Sequence, residues 1–300
     1  MSKRPHIITF GEILWDVFPD DKRLGGAPLN VALRLQERGA NSAIISCLGD
    51  DELGKKALSA IEQYGLPIGL IQQHQRLPTG QVSVSLDAKG AASYLIEPKA
   101  AWDAIGLTPE NQKEVAAADA LLYGSLAFRE SQNRTTLDGL LEQATYRILD
   151  LNLRPPHFKT DYLMDLMRRS DFVKWNEEEL EQVAKWCALQ ETSVDDQLKK
   201  LAKTFELHAC CVTLGADGAL LFHEGKFYRH YGYPAKVVDT VGAGDSFLAT
   251  LIYGLLSHGN PVEALDQACA MGALVAGKAG ANATVSAEEL KRLVGEPPKF

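Results

Sequence analysis

The chain has 300 residues, 46% apolar and 23% charged, enough for one large α/β domain or two smaller ones with a substantial core. Its net charge of −8 argues against nucleic acid as the main partner while leaving room for a locally positive pocket. No run approaches about 18 uninterrupted apolar residues, the opening MSKRPHIITFGE has no secretory pattern, and five scattered cysteines lack metal-ligand spacing. A reduced, cytoplasmic protein without a membrane partner is therefore expected.

Short apolar runs alternate with amphipathic stretches. Residues 6–10, 42–47, 120–123, 147–151, 171–174 and 210–213 read as strands, and 27–38, 53–64 and 177–187 carry apolar residues at helical spacing. Such alternation predicts a doubly wound α/β fold with a parallel sheet, whose ligands bind beyond the carboxyl ends of the strands. Residues 12–18 and 80–97 break the pattern. Val82, Val84 and Leu86 alternate with polar positions, 87–90 can turn, and 93–96 can return. A small separate sheet is expected there, with strands from about 12–20 and 80–100 of a single domain over 1–300. It would act as a lid that excludes water, although an ordinary edge hairpin gives the same pattern.

Five short elements are candidates for chemistry. In Leu24-Gly-Gly-Ala-Pro-Leu-Asn30, Gly25 and Gly26 permit close backbone approach before a helix, and Asn30 sits one turn in. Asp150, Asn152 and Arg154 share a face at a strand end that Pro155-Pro156 stops. Asn176 and Glu179 can form a helix capping box or reach phosphate oxygens. Thr213, Gly215 and Gly218 lie in a glycine-rich turn before a second strand, Ala219–Phe222, which a plain hairpin also explains. In Asp239-Thr-Val-Gly-Ala-Gly-Asp245, a small-residue turn runs into an apolar helix expected from Ser246. That helix start suits an anion, and Asp245 fits a base acting beside it, or simply a carboxylate stabilised by the helix dipole. Gly49–Lys56 has the spacing of a phosphate loop, but Lys56 replaces the Mg²⁺-binding hydroxyl and three carboxylates would repel phosphate. It is expected to be a solvated loop before a helix.

The order and spacing of these elements, above all Asp239-Thr-Val-Gly-Ala-Gly-Asp245, resemble the PfkB/ribokinase family of sugar kinases over about residues 6 to 290. The resemblance implies a ribokinase-like three-layer α/β/α fold with a mostly parallel sheet. It also implies a β-sheet lid that often forms a homodimer interface, with ATP as donor and Mg²⁺ as metal. Residue by residue, it implies Asp245 as base and the N–H groups of Gly242, Ala243 and Gly244 as anion hole. Asn176, Thr213, Gly215 and Gly218 match nucleotide positions, and Glu179 matches a Mg²⁺ position acting through water. Asp16, Gly25, Gly26 and Asn30 match sugar contacts, with Asn152, Arg154 and Tyr94 as further candidates for the sugar pocket. Asp239, the Val241 carbonyl, Lys278, Gly280 and Thr284 resemble a monovalent-cation (K⁺) site. Gly-Gly-Ala-Pro-x-Asn and Asp-x-Asn-x-Arg are similar to fructokinases, with Leu29 and Asp150-Leu151 as departures. The implied reaction is phosphorylation of a ketohexose, fructose, at its primary hydroxyl. The alternatives are a kinase of 2-keto-3-deoxygluconate or another sugar, or a sensor of sugar or nucleotide that has lost catalysis, which the intact Asp245 and turn argue against.

Overall fold

The computed structural model describes residues 4–86, 92–191 and 193–295. In chain order its strands are β1 (His6–Phe10), β2 (Leu14–Val17), β3 (Lys22–Gly25), β4 (Asn41–Gly49), β5 (Ile71–His74), β6 (Gly80–Leu86) and β7 (Ala92–Ile96). They continue as β8 (Ala120–Gly124), β9 (Arg147–Asp150), β10 (Phe172–Asn176), β11 (Ala209–Thr213), β12 (Ala219–His223) and β13 (Lys226–His230). The helices are α1 (Ala27–Glu37), α2 (Glu52–Gln63), α3 (Pro109–Ala117), α4 (Ser131–Leu141) and α5 (Thr160–Arg169). After them come α6 (Glu177–Trp186), α7 (Val194–Thr204), α8 (Ala243–His258), α9 (Pro261–Ala276) and α10 (Ala287–Gly295).

Nine strands form one sheet in the order β13-β12-β11-β10-β9-β8-β1-β4-β5, parallel except at β12 and β13. Period-two alternation buries both faces. Ile8, Phe10, Leu149, Val173 and Trp175 pack under α3–α7. Ile7, Ile148, Phe172 and Cys211 pack under α1 and α8–α10, which completes three α/β/α layers. The adjacent cysteines 210 and 211 thus face opposite layers, and all five cysteines are free thiols. Strand β1 pairs with β4 on one side and β8 on the other, so the chain winds outward in both directions from it. Ligands of doubly wound sheets bind at that switch, beyond the carboxyl ends.

A second sheet, β3-β2-β6-β7, stands apart from the first. Its strands β2, β6 and β7 occupy the two regions expected to break the alternation, β3 adds a strand outside them, and the expected turn at 87–90 lies outside the described residues. The second sheet's ties to the rest of the chain include Trp15 Nε1 donating to the Leu53 carbonyl at 3.1 Å, Asn282 Nδ2 donating to the Leu24 carbonyl at 3.4 Å, and Arg23 lying 3.9 Å from Asp239. The phosphate-loop lookalike is a capping device. Asp51 accepts from Gly54 N at 2.7 Å to start α2, and from Thr79 N at 2.8 Å. Among the described residues, no helix is long and apolar enough to cross a membrane.

Candidate active site

Helix α8 begins at Ala243, three residues before the start expected from its apolar run. Only Gly242 makes the turn, in the left-handed region at φ +77, and a Cβ there would lie 2.5 Å from the Ala281 backbone. Asp245 is therefore a first-turn residue at the positive helix end, where the Ala243 N–H donates to the Thr240 carbonyl at 3.2 Å. Its Oδ2 accepts from Asn30 Nδ2 at 2.8 Å, and Asn30 Oδ1 accepts from Asn282 Nδ2 at 3.1 Å. Burial and the Asp150 carboxylate push the Asp245 carboxyl up to about 6, against the Asn30 hydrogen bond, Lys174 and Arg154. Such a group is ionised at neutral pH and basic enough to take a proton.

The carboxyl end of β1 and the start of α1 form the other wall. Gly26 has φ +114, and a Cβ on it would meet the Glu12 carbonyl at 2.3 Å. Asp16 faces Arg23 across β2 and β3, and its Oδ2 lies over Gly25, 2.8 Å from where a Cβ would sit. Burial raises the Asp16 carboxyl to about 6, while Arg23 and Arg154 oppose the shift. Asn152 has left-handed backbone (φ 40), with its carbonyl accepting from Ser125 Oγ at 3.1 Å. Arg154 is exposed, yet its charge acts on Glu12, Asp16 and Asp245 together. Tyr94 lies on β7 opposite Val84; its side chain is outside the described residues.

Glu12 escaped the sequence analysis although it lies two residues beyond β1, the strand from which the chain winds outward in both directions. It is 3% exposed, and its Oε2 has no hydrogen-bond partner. Burial pushes its carboxyl up to about 7, reinforced by Asp245 and offset by contacts to its own and the Ala27 N–H and by Arg154. Because the folded value exceeds the unfolded one, the folded chain holds this proton more tightly, and stability falls as pH rises through about 7. Glu12→Gln removes that loss, so its gain in Tm is expected to be larger at about pH 8 than at about pH 5. Equal gains in thermal melts at the two pH values would contradict this.

Towards β10 and β11, Asn176 Oδ1 accepts from Glu179 N at 2.8 Å and Glu179 Oε2 accepts from Asn176 N at 2.9 Å, a reciprocal capping box. Glu179 Oε1 also accepts from Leu153 N at 2.7 Å, which ties the loop after β9 to α6. Each Glu179 oxygen thus serves a backbone donor and has one lone pair left, which fits contact to a metal through water better than direct ligation. Lys174 Nζ donates to Asp150 Oδ1 at 2.9 Å, and both residues are buried. Burial pulls the Lys174 ammonium down, but Asp150 and Glu179 outweigh it and hold its pKa above the ordinary value. A lysine inside the apolar run Phe-Val-Lys-Trp was the legible signal for this pair.

Thr213 ends β11, Gly215 (φ 58) is open to approach, and Gly218 is required by packing, since a Cβ would meet the His230 carbonyl at 2.0 Å. In the segment before α8, Asp239 accepts from Val241 N, and it also accepts from Gly280 N of the loop before α10, each at 3.0 Å. Lys278 Nζ donates to the Thr284 carbonyl at 2.7 Å and to Glu289 at 2.8 Å. The five cation-site candidates therefore fall into two clusters, one around the Asp239 carboxylate and one around the Lys278 ammonium. Buried Arg34 braces the region, donating to Ser246 Oγ at 3.2 Å and to the Ala283 carbonyl at 2.7 Å.

Residues 7–288 match the family model described as pfkB family carbohydrate kinase. The chain belongs to the pfkB family of carbohydrate kinases. This kinase is 28% identical over 266 residues to a protein named fructokinase from Escherichia coli, covering 84% of each chain. A fructokinase double mutant from Vibrio cholerae O395, in a fructose, ADP and potassium ion bound form, superposes with a TM-score of 0.83. The two are 22% identical, over 98% of this chain and 99% of that one. A 2-dehydro-3-deoxygluconokinase from Thermotoga maritima gives a TM-score of 0.84 at 21% identity, over 98% and 99% of the chains. Together with the topology, these likenesses identify the fold as ribokinase-like.

Proposed function

We propose that this kinase transfers the γ-phosphoryl group of ATP to the primary hydroxyl of a ketohexose, converting fructose to fructose 6-phosphate. The observation that carries the reading is the Asn30–Asp245 hydrogen bond, which spans 215 residues of chain and joins the glycine-framed start of α1 to the first turn of α8. A hydroxyl held by Asn30 and Asp16 lies within reach of a base, and an anion at α8 lies beside both. Asp245 takes the hydroxyl proton as oxygen attacks phosphorus, and the N–H groups of Gly242, Ala243 and Gly244 receive the charge that gathers on the phosphoryl oxygens. Thr213, Gly215, Gly218 and Asn176 face the nucleotide. Mg²⁺, when bound, neutralises phosphate charge, and Glu179 steadies its water shell. K⁺ would lie beside Asp239 and the Val241 carbonyl.

Charge favours a neutral sugar. Glu12, Asp16, Asp150, Glu179 and Asp245 set five carboxyl groups against Arg23, Arg154 and Lys174 in this region. An acidic sugar would add to that excess, so 2-keto-3-deoxygluconate is the second reading, carried by exposed Arg154 alone. The E. coli relative's name supports fructose. The small sheet acts as a lid and Leu95, 63% exposed on β7, belongs to a homodimer contact there. The enzyme works in the cytoplasm, where ATP is supplied and its thiols stay reduced. Steady-state assays with ATP against fructose, glucose, ribose and 2-keto-3-deoxygluconate test the assignment. A kcat/KM for fructose at least about tenfold above the others is expected, a gap that one or two well-placed hydrogen bonds can supply. A higher value for the acidic sugar would transfer the assignment to it.

A further inference from the structure

Lys174 is a buried ammonium, paired with Asp150 and surrounded by the Glu179 and Asp245 carboxylates. Among the described residues no other lysine is buried, and this one is 6% exposed. It neighbours Asp150 across β9 and β10, and both side chains lie on the sheet face that carries α8. A Cβ built on Gly244 would sit 3.8 Å from Nζ, which puts the ammonium against the first turn of α8. A helix start repels a cation, and a buried ion pair adds little net stability over apolar residues of the same size. An ammonium also carries three N–H donors, of which the protein uses one, to Asp150. A cation with unspent donors beside a helix start is explained by an anion arriving there.

We propose that Lys174, steered by Asp150, is a further catalytic residue that donates to the phosphoryl group in transit over the Gly242–Gly244 turn. The proposal rests on the kinase reading of this site and is indifferent to which sugar accepts. As the phosphorus–oxygen bond to ADP breaks, its electron pair stays on the departing β-phosphate oxygen. The sugar oxygen forms the new bond and its proton passes to Asp245. Lys174 keeps its own proton throughout and offsets the charge on the moving group.

Two variants test the role: Lys174→Met, and Asp150→Asn with Lys174→Met, which leaves no unpaired buried charge and guards against simple misfolding. Both are expected to lower kcat by about 10²–10³-fold, the size of losing one donor to transition-state charge, with sugar KM little changed. Lys174→Arg should recover part of the loss. A second readout needs no acceptor: thermal stabilisation of the protein by Mg²⁺ and ADP, with and without aluminium fluoride as mimic of the moving phosphoryl group. Wild type should gain stability beyond ADP alone, and the two methionine variants should lose that extra gain while keeping the response to ADP. Turnover within about threefold of wild type, an undiminished aluminium fluoride response in the variants, or no such response in wild type would overturn the proposal. If wild type phosphorylates no sugar but its aluminium fluoride response depends on Lys174, the fructose assignment falls and the role of Lys174 stands.

Discussion

Asp245→Asn is expected to lower kcat by about 10²–10⁴-fold, the contribution of a positioned general base, while ADP binding changes little. The substitution keeps the shape of the side chain, so the first turn of α8 and its N–H groups stay in place. What it removes is the ability to accept a proton. The same assignment fixes the sign of the pH dependence. Burial and Asp150 set the Asp245 carboxyl at about 6, and a base must be ionised to act. In wild type, log kcat/KM should therefore fall as pH drops through about 6, with unit slope below it. The groups facing this carboxyl divide in their effect: Asp150 holds the proton on, and Asn30, Lys174 and Arg154 help it leave. Near-normal turnover in the asparagine variant, measured with saturating ATP and sugar, would remove Asp245 from the mechanism.

Gly242→Ala should damage both turnover and stability. The residue holds φ +77, where an L side chain costs on the order of 1–2 kcal/mol, and its new Cβ would meet the Ala281 backbone at 2.5 Å. Neither side can yield cheaply, because one is the turn and the other is backbone of the loop before α10. The turn must shift, and a displacement of about 1 Å in catalytic N–H groups costs on the order of 10²-fold in rate. A fall in turnover of at least that size is expected, with a clear drop in Tm. Gly244→Ala gives the stability comparison: its backbone is helical and a Cβ would meet only the Lys174 ammonium at 3.8 Å. It should melt at the wild-type temperature or slightly above, since alanine restricts the unfolded chain. Equal melting of the two variants in calorimetry would contradict the packing argument.

Local pattern carried most of the main sheet. Its buried strands are apolar runs, and the layers follow from alternation, as when Val173 and Trp175 take one face and Phe172 the other. Strands β5 and β13 were invisible for the same reason: Ile-Gln-Gln-His and Lys-Phe-Tyr-Arg-His lie at the sheet edges and carry mixed polarity. The start of α8 was placed late because Gly-Ala-Gly reads as a turn, whereas packing against Ala281 confines the turn to Gly242. In the site, the Asn176–Glu179 capping box follows from spacing alone. The Asn30–Asp245 and Asp150–Lys174 pairs do not, because each depends on which strands and helices the sheet order brings together. Glu12 went unnoticed since a single carboxylate after a strand has no periodicity to mark it.

In the proposed reaction, Asp245 and the α8 turn pass phosphate to a sugar hydroxyl aligned by Asn30. Phosphorus NMR of wild-type enzyme with ATP, Mg²⁺ and fructose tests it most directly. ATP should be consumed in step with a new phosphate monoester on the primary hydroxyl of fructose, and Asp245→Asn should abolish its appearance on the same timescale. Free inorganic phosphate in place of the sugar ester, or ester formed at the wild-type rate by the variant, would contradict it.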